Sequence, residues 1–233
     1  MSLRGLALLL VGFAAAHAAP IAMQEWTAGF GEAMLTPVPY PDAEHTSAVV
    51  LTATSGRIRL IGPDGHVLST MQLTLPATAS AIPVAFERGS EPVIVAADVA
   101  GSIYCFRRDG RLKWKYAQDG KATDFRHLTA GDISGDGKPE VILTGSRGHL
   151  FAVDGEGRLK LEIRTTTFRL STAATADLDG DGRPELVFGT EDNEVYAVRG
   201  DGRMLWHTEV PGRVGRALPV IAELRPGEPD VLV

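Results

Sequence analysis

Residues 177–188 read DLDGDGRPELVF, with carboxylates at the first, third, fifth and ninth positions and glycines between them. The carboxylates belong to Asp177, Asp179, Asp181 and Glu185. Calcium is a hard cation that takes about six to eight oxygen ligands, and a tight loop of alternating acids supplies such ligands. The apolar residues that follow are typical of a β-strand. The sequence therefore predicts an acidic, calcium-binding loop between two strands.

The first six residues of this loop also fit the start of an EF-hand, so that alternative has to be weighed. An EF-hand requires a bidentate glutamate at the twelfth position and a helix on each side of the loop. Here the twelfth position is Phe188, and strand-type residues follow the loop. The EF-hand interpretation is rejected.

A second copy lies 45 residues upstream, where residues 132–143 read DISGDGKPEVIL. Its candidate ligands are Asp132, Ser134, Asp136 and Glu140. The backbone carbonyls of Lys138 and Arg183, at the seventh positions of the two loops, are expected to serve as further ligands. In the second repeat described below, the matching positions hold a set that cannot chelate a metal ion, with one carboxylate in it: Ala85, Glu87, Gly89 and Val93. The sequence thus predicts two Ca²⁺ sites, the four-carboxylate site being the stronger; the alternative is that both loops are merely solvated turns.

Other features recur in register with the acidic loop. An acid–glycine pair begins at Asp64, Asp109, Glu156 and Asp201, with spacings of 45, 47 and 45 residues. Such a pair between apolar runs predicts a β-hairpin turn in which both turn residues have positive φ. A large side chain follows three of the turns (Trp114, Leu161 and Trp206), and Ser69 stands at the matching position of the first. Four strands per period of about 45 residues are typical of a β-propeller blade.

The expected fold is all-β, a β-propeller of four-stranded antiparallel blades. Four complete blades are expected at about 35–72, 80–116, 128–163 and 172–208, followed by a partial blade at 217–233. Trp26 is in the register of the outer-strand tryptophans, so the chain is expected to enter in the last strand of another blade. The partial units favour a segment of a propeller of about seven or eight blades. Alternatively, the terminal strands pair with each other and close a smaller ring.

Residues 1–18 have the features of a secretory signal peptide. A short basic start containing Arg4 precedes an apolar run, and Ala16 and Ala18 place small residues at a cleavage site. Cleavage after Ala18 would leave residues 19–233 as the propeller domain, in the periplasm or outside the cell. The alternative is a buried N-terminal helix. No later segment is long and apolar enough to predict a transmembrane helix.

Composition narrows the function classes. A formal net charge of -6 without basic clusters argues against a nucleic-acid partner. The single Cys105 excludes an intramolecular disulfide framework, and its matched positions predict a core residue. The sequence contains neither a Gly-x-Ser-x-Gly elbow nor a His-Glu-x-x-His helix. The expected partner is a protein or carbohydrate ligand bound through the loops, with no catalytic residue assigned.

The acidic loops, followed by LVFG at 186–189 and VILTG at 141–145, resemble the FG-GAP and VCBS repeats of integrin-α-type propellers. The outer-strand sequences DGRLKW at 109–114 and DGRMLW at 201–206 resemble PQQ-like (quinoprotein-like) propeller repeats. These resemblances imply a propeller fold and calcium at two loops. They imply little about activity, because propellers host many functions.

Three functions remain open. The favoured one is a secreted, calcium-stabilised, non-catalytic module that binds or scaffolds a protein or glycan. The second is a propeller segment of a larger polysaccharide-degrading enzyme. The third is a quinoprotein dehydrogenase, but the best-known dehydrogenases with this fold carry an adjacent cysteine pair, which Cys105 alone does not supply.

Overall fold

The computed structural model describes residues 29–41, 48–117, 125–166, 169–211, 219–225 and 228–232. The expected signal peptide and Trp26 lie outside these ranges. The described residues form β-strands joined by turns and contain no helix that is long and apolar enough to cross a membrane.

The strands group into sheets that follow one another along the chain. Sheet 1 contains β1 (Val38–Tyr40), β2 (Ala48–Thr52), β3 (Arg57–Ile61) and β4 (Val67–Gln72). Sheet 2 contains β5 (Ile82–Val84), β6 (Val93–Ala97), β7 (Ile103–Phe106) and β8 (Leu112–Tyr116). Sheet 3 contains β9 (Phe125–Gly131), β10 (Glu140–Gly145), β11 (His149–Val153) and β12 (Leu159–Arg164). Sheet 4 contains β13 (Ala174–Ala176), β14 (Glu185–Gly189), β15 (Glu194–Val198) and β16 (Met204–Glu209), and sheet 5 pairs β17 (Val220–Arg225) with β18 (Glu228–Leu232).

In each of the first four sheets the strands pair antiparallel in chain order, and the fifth sheet is a two-stranded antiparallel pair. The predicted all-β fold with four-stranded antiparallel units is confirmed. Chain-order pairing means that every connection within a sheet is a local hairpin, as a propeller blade requires.

The hydrophobic core lies between successive sheets. In β6, Ile94 and Ala96 pack into a cluster shared with sheet 1, whereas Val95 and Ala97 pack into a cluster shared with sheet 3. Side chains of a strand alternate between its two faces, so a strand covered on both faces must be apolar throughout. The same requirement explains the apolar residues 141–143 at the centre of β10, a strand whose six residues are all buried.

The hairpins between the third and fourth strands differ from the predicted turn. Their glycines have positive φ, for example 88° at Gly110 and 86° at Gly202, but the preceding acids do not. The N–H of Gly110 donates to the carbonyl of Arg107, and the register shifts at the end of β7. This is a longer turn that closes with a bulge, so only its glycine has to enter the left-handed region.

In sheets 1 and 2 the side chain that follows the hairpin forms a hydrogen bond to the next sheet. Trp114 of sheet 2 donates its Nε1–H to the carbonyl of Gly155 at 2.8 Å. Ser69 occupies the matching position in sheet 1 and donates its hydroxyl to the carbonyl of Arg108 at 2.6 Å. Ser69 and Trp114 therefore make the same connection between neighbouring sheets, Ser69 through its hydroxyl group and Trp114 through its indole N–H.

Candidate metal site at the acidic loops

The two predicted calcium loops lie side by side. One connects β9 to β10 and the other connects β13 to β14. A Cβ placed on Gly135 of the first loop would lie 2.8 Å from Cγ of Arg183 in the second loop. The loops of sheets 3 and 4 thus form one continuous surface.

The backbone of the second loop is wrapped around its own carboxylates. Asp177 accepts hydrogen bonds from the N–H groups of Gly180 and Gly182, at 2.8 and 2.9 Å. The N–H of Leu178 donates to Glu185 at 2.9 Å, which fixes the carboxylate at the base of the loop. Both Gly180 and Gly182 have positive φ, which explains why glycine stands there.

Three of the predicted ligands converge. Carboxylate oxygens of Asp177, Asp179 and Glu185 all lie within 4.8 Å of one another. Glu185 is 1% exposed, and burial raises its pKa, with a further increase from the negative charges of Asp179 and Asp181. A cation relieves this repulsion, and carboxylate oxygens are the ligands that hard divalent cations prefer. The donor set therefore fits a hard divalent metal ion.

Asp181, another predicted ligand of this loop, is not part of this group of three. Asp181 accepts a hydrogen bond from the N–H of Arg183 at 2.8 Å, which orders the tip of the loop.

Arg199, at the start of the hairpin after β15, forms an ion pair with Asp179. The sequence did not indicate a role for Arg199, because this residue lies in the hairpin after β15 and not in the acidic loop before β14.

The first loop repeats the backbone arrangement. Asp132 accepts hydrogen bonds from Gly135 and Gly137, both at 2.7 Å, and Glu140 accepts one from Ile133 at 2.9 Å. Burial also raises the pKa of Glu140, which is 2% exposed. Within the part of the chain that the structure describes, however, the convergence of three acidic ligands is found at the second loop alone.

The other predicted ligands of the first loop have partners within the loop or close to it. The hydroxyl of Ser134 lies 3.4 Å from Asp132, and Asp136 accepts a hydrogen bond from the N–H of Lys138 at 2.8 Å. The ammonium group of Lys138 lies 3.7 Å from the carboxylate of Glu87 in sheet 2. This exposed ion pair spans the boundary between sheets 2 and 3.

An open cleft of about 400 Å³ lies beside the first loop. Its walls include Asp136 and Glu140 from that loop, Phe86 and Lys113 from sheet 2, and Asp154 from the hairpin of sheet 3. Lys113 lies over the ring of Phe86, with its nitrogen 5.7 Å from the ring centroid. Because these groups come from separate parts of the chain, no local sequence motif predicts the cleft.

Comparison with known proteins identifies the architecture. Residues 93–205 match the model of a family described as the lambda-carrageenase beta-propeller domain. No curated protein sequence matches the chain.

Two solved structures resemble the fold at low sequence identity. BBS1N, solved in complex with ARL6DN, has a TM-score of 0.63 and 13% identity, covering 84% of this chain and 60% of that one. BamB from Moraxella catarrhalis has a TM-score of 0.54 and 17% identity, covering 76% of this chain and 51% of that one. The chain therefore spans 60% or less of the length of these two proteins.

The matched family is defined by a β-propeller domain, so the propeller expected from the repeat is confirmed. Kinship with FG-GAP, VCBS or PQQ-like repeats stays a prediction. Taken with the four antiparallel sheets in chain order, the match shows that this chain has a β-propeller fold.

Proposed function

We propose that this chain is a calcium-stabilised, secreted or periplasmic β-propeller that serves as a non-catalytic module for binding or scaffolding a protein or glycan. The observation that carries the calcium part is the convergence of Asp177, Asp179 and Glu185 within 4.8 Å. Glu185 in this group is almost fully buried.

The role of the ion is structural. Asp177 and Glu185 flank the connection between β13 and β14, so an ion held between them would fix the path from the first to the second strand of sheet 4. The loops of sheets 3 and 4 touch through Gly135 and Arg183, and ordering one loop therefore supports the other. Extracellular calcium modules bind with Kd on the order of 10⁻⁴ to 10⁻³ M, which matches the location proposed here.

The cleft beside the first loop supports the binding part of the proposal. Its lining contains both positive and negative side chains, among them Lys113, Asp136 and Glu140, and its volume of about 400 Å³ falls in the range of small ligand pockets. Such a surface suits a polar ligand such as a sugar chain or a charged protein segment. Its position next to an acidic loop would make ligand binding sensitive to calcium.

Calcium binding is tested by isothermal titration calorimetry of the purified chain, with Glu185→Gln as the variant. Glutamine keeps the shape and the hydrogen bond from Leu178 but removes the charge, so we expect weaker Ca²⁺ binding without loss of folding. The matched control is Glu191→Gln, an exposed acid paired with Arg169 at 3.2 Å. Unaltered calcium heats in Glu185→Gln would contradict the proposed site.

The second candidate is a propeller segment of a polysaccharide-degrading enzyme. The match of residues 93–205 to a lambda-carrageenase propeller family favours it. Affinity electrophoresis in gels with λ-carrageenan, agarose or no polysaccharide tests both candidates for a glycan ligand. Retardation by λ-carrageenan but not by agarose would favour the propeller segment of an enzyme, and equal migration in all three gels would count against it.

A further inference from the structure

The acidic loop of sheet 4 has a cation supplied by its own chain. The guanidinium of Arg199 pairs with Asp179, one of the three converging carboxylates. This contact involves Oδ2 of Asp179, while Oδ1 accepts a hydrogen bond from the N–H of Asp181. Both oxygens of Asp179 therefore have partners before any metal arrives.

Arg199 is placed there by a firmly held backbone. The next residue, Gly200, lies so close to sheet 3 that a Cβ on it would be 1.8 Å from the carbonyl oxygen of Ile133. The hairpin is also closed by the N–H of Arg199 donating to the carbonyl of Arg203 at 2.8 Å. Only the side chain of Arg199 is therefore free to change its partner.

The loop of sheet 3 lacks this feature. The residue that matches Arg199 in its hairpin is Asp154, as the strand-end register of β11 and β15 shows. Asp154 turns toward its own hairpin and accepts hydrogen bonds from Nε of Arg158 and from the N–H of Glu156, at 2.8 and 3.1 Å. The two loops thus share their backbone hydrogen bonds but differ in the charge at one neighbouring position.

We propose that Arg199 is an internal competitor for the metal at the Asp177–Glu185 loop: its guanidinium occupies Asp179 in the calcium-free state and must leave when Ca²⁺ binds. The inference rests on the proposed calcium function and assigns a regulatory residue to that site. A positive charge that has to be displaced raises the free energy of the bound state, and the same pair steadies the empty loop. The loop of sheet 4 therefore binds calcium only at a high calcium concentration, and it keeps its shape when calcium is absent.

The test uses the full chain with Asp136→Asn, which weakens the other loop while retaining an oxygen that accepts the hydrogen bond from Lys138. In this background we compare Arg199→Gln, Arg199→Lys and the control Arg203→Gln. Arg203 lies in the same hairpin, but its guanidinium lies 3.6 Å from Asp201, outside the acidic loop. Calcium Kd is measured by calorimetry, and the melting midpoint is measured in EGTA.

We expect Arg199→Gln to lower the calcium Kd at least about fivefold, as is typical of coupled sites. Its melting midpoint in EGTA should fall, because the empty loop loses its counter-ion. Arg199→Lys, which keeps the charge, and Arg203→Gln should both bind calcium as the background does.

Two outcomes would overturn the inference and are distinguishable. Equal calcium Kd in Arg199→Gln and the background would remove the competitor role but leave the calcium proposal intact. The absence of calcium heats in every variant, with melting midpoints that do not respond to calcium, would remove both. Tighter binding in Arg199→Gln alone supports the inference.

Discussion

Replacement of Gly200 by alanine tests the contact that joins sheet 4 to sheet 3. A Cβ at this position would lie 1.8 Å from the carbonyl oxygen of Ile133 and 2.8 Å from its carbonyl carbon. Both atoms belong to the backbone, so no side-chain rotation relieves the clash. Contacts under 3.0 Å are essentially never seen for Cβ atoms, so the two backbone segments must separate by about 1.2 Å, the difference between 3.0 and 1.8 Å.

The loss in free energy of unfolding depends on how rigidly the residues around Gly200 are held. Inserting a methyl group into a packed region costs roughly 1–3 kcal/mol when the surroundings can adjust. Here Ile133 is fixed by its N–H donating to the buried Glu140, so we expect a loss at the upper end, about 3 kcal/mol. Gly155→Ala should cost less, because its Cβ would meet side-chain atoms of Phe86 at 2.8 Å or more, whereas Gly200→Ala meets a backbone oxygen at 1.8 Å.

The assay is urea unfolding followed by tryptophan fluorescence, with Gly29→Ala as the matched control. Among the residues that the structure describes, nothing lies within 4 Å of a Cβ added to Gly29, and this glycine has no positive φ, so alanine should fit there without clash. A free energy of unfolding for Gly200→Ala within about 0.5 kcal/mol of the wild type would refute the close approach of the two sheets.

Three further predictions concern separate parts of the chain. Trp114→Phe removes the indole donor to Gly155 but keeps an aromatic ring, so urea unfolding should show a loss of about 1 kcal/mol, and an unchanged stability would contradict the connection between the sheets. Burial raises the pKa of Cys105 to about 12, so the native protein at pH 8 should resist iodoacetamide while the urea-unfolded protein reacts; rapid labelling of the native state would contradict that burial. Export should cleave the chain after Ala18, and mass spectrometry of the exported protein should find Ala19 at the N-terminus rather than an uncleaved leader.

Much of the fold was predictable because each repeat contains residues with strong local conformational preferences. The glycine of each hairpin, such as Gly110 or Gly202, marks a backbone position with positive φ that the sequence displays directly. The predicted type of turn was wrong. The hairpin is longer than two residues, and a bulge lets the acid keep an ordinary φ. Turn length depends on strand register, which the residue types alone leave open.

The candidate site was predicted in part. The spacing of Asp177, Asp179 and Glu185 suffices to bring them together, because one loop carries all three and its glycines dictate the path. The effect of Arg199 was not predictable, since it reaches Asp179 from a hairpin twenty residues away in sequence. The cleft at Asp136 likewise depends on how two sheets pack, which no single repeat encodes.

The central claim, that calcium stabilises this propeller through the acidic loop of sheet 4, is tested most directly by thermal melts in Ca²⁺ and in EGTA. At a free concentration of ten times Kd, one site stabilises the fold by about 1.4 kcal/mol, so the wild-type midpoint should rise in calcium. Asp179→Ala should lose most of this rise. Glu87→Ala should keep it, because the carboxylate of Glu87 forms an exposed ion pair with Lys138 and does not belong to the acidic loop of sheet 4. A wild-type midpoint that is the same in both buffers would contradict the account and leave the loops as turns without a metal.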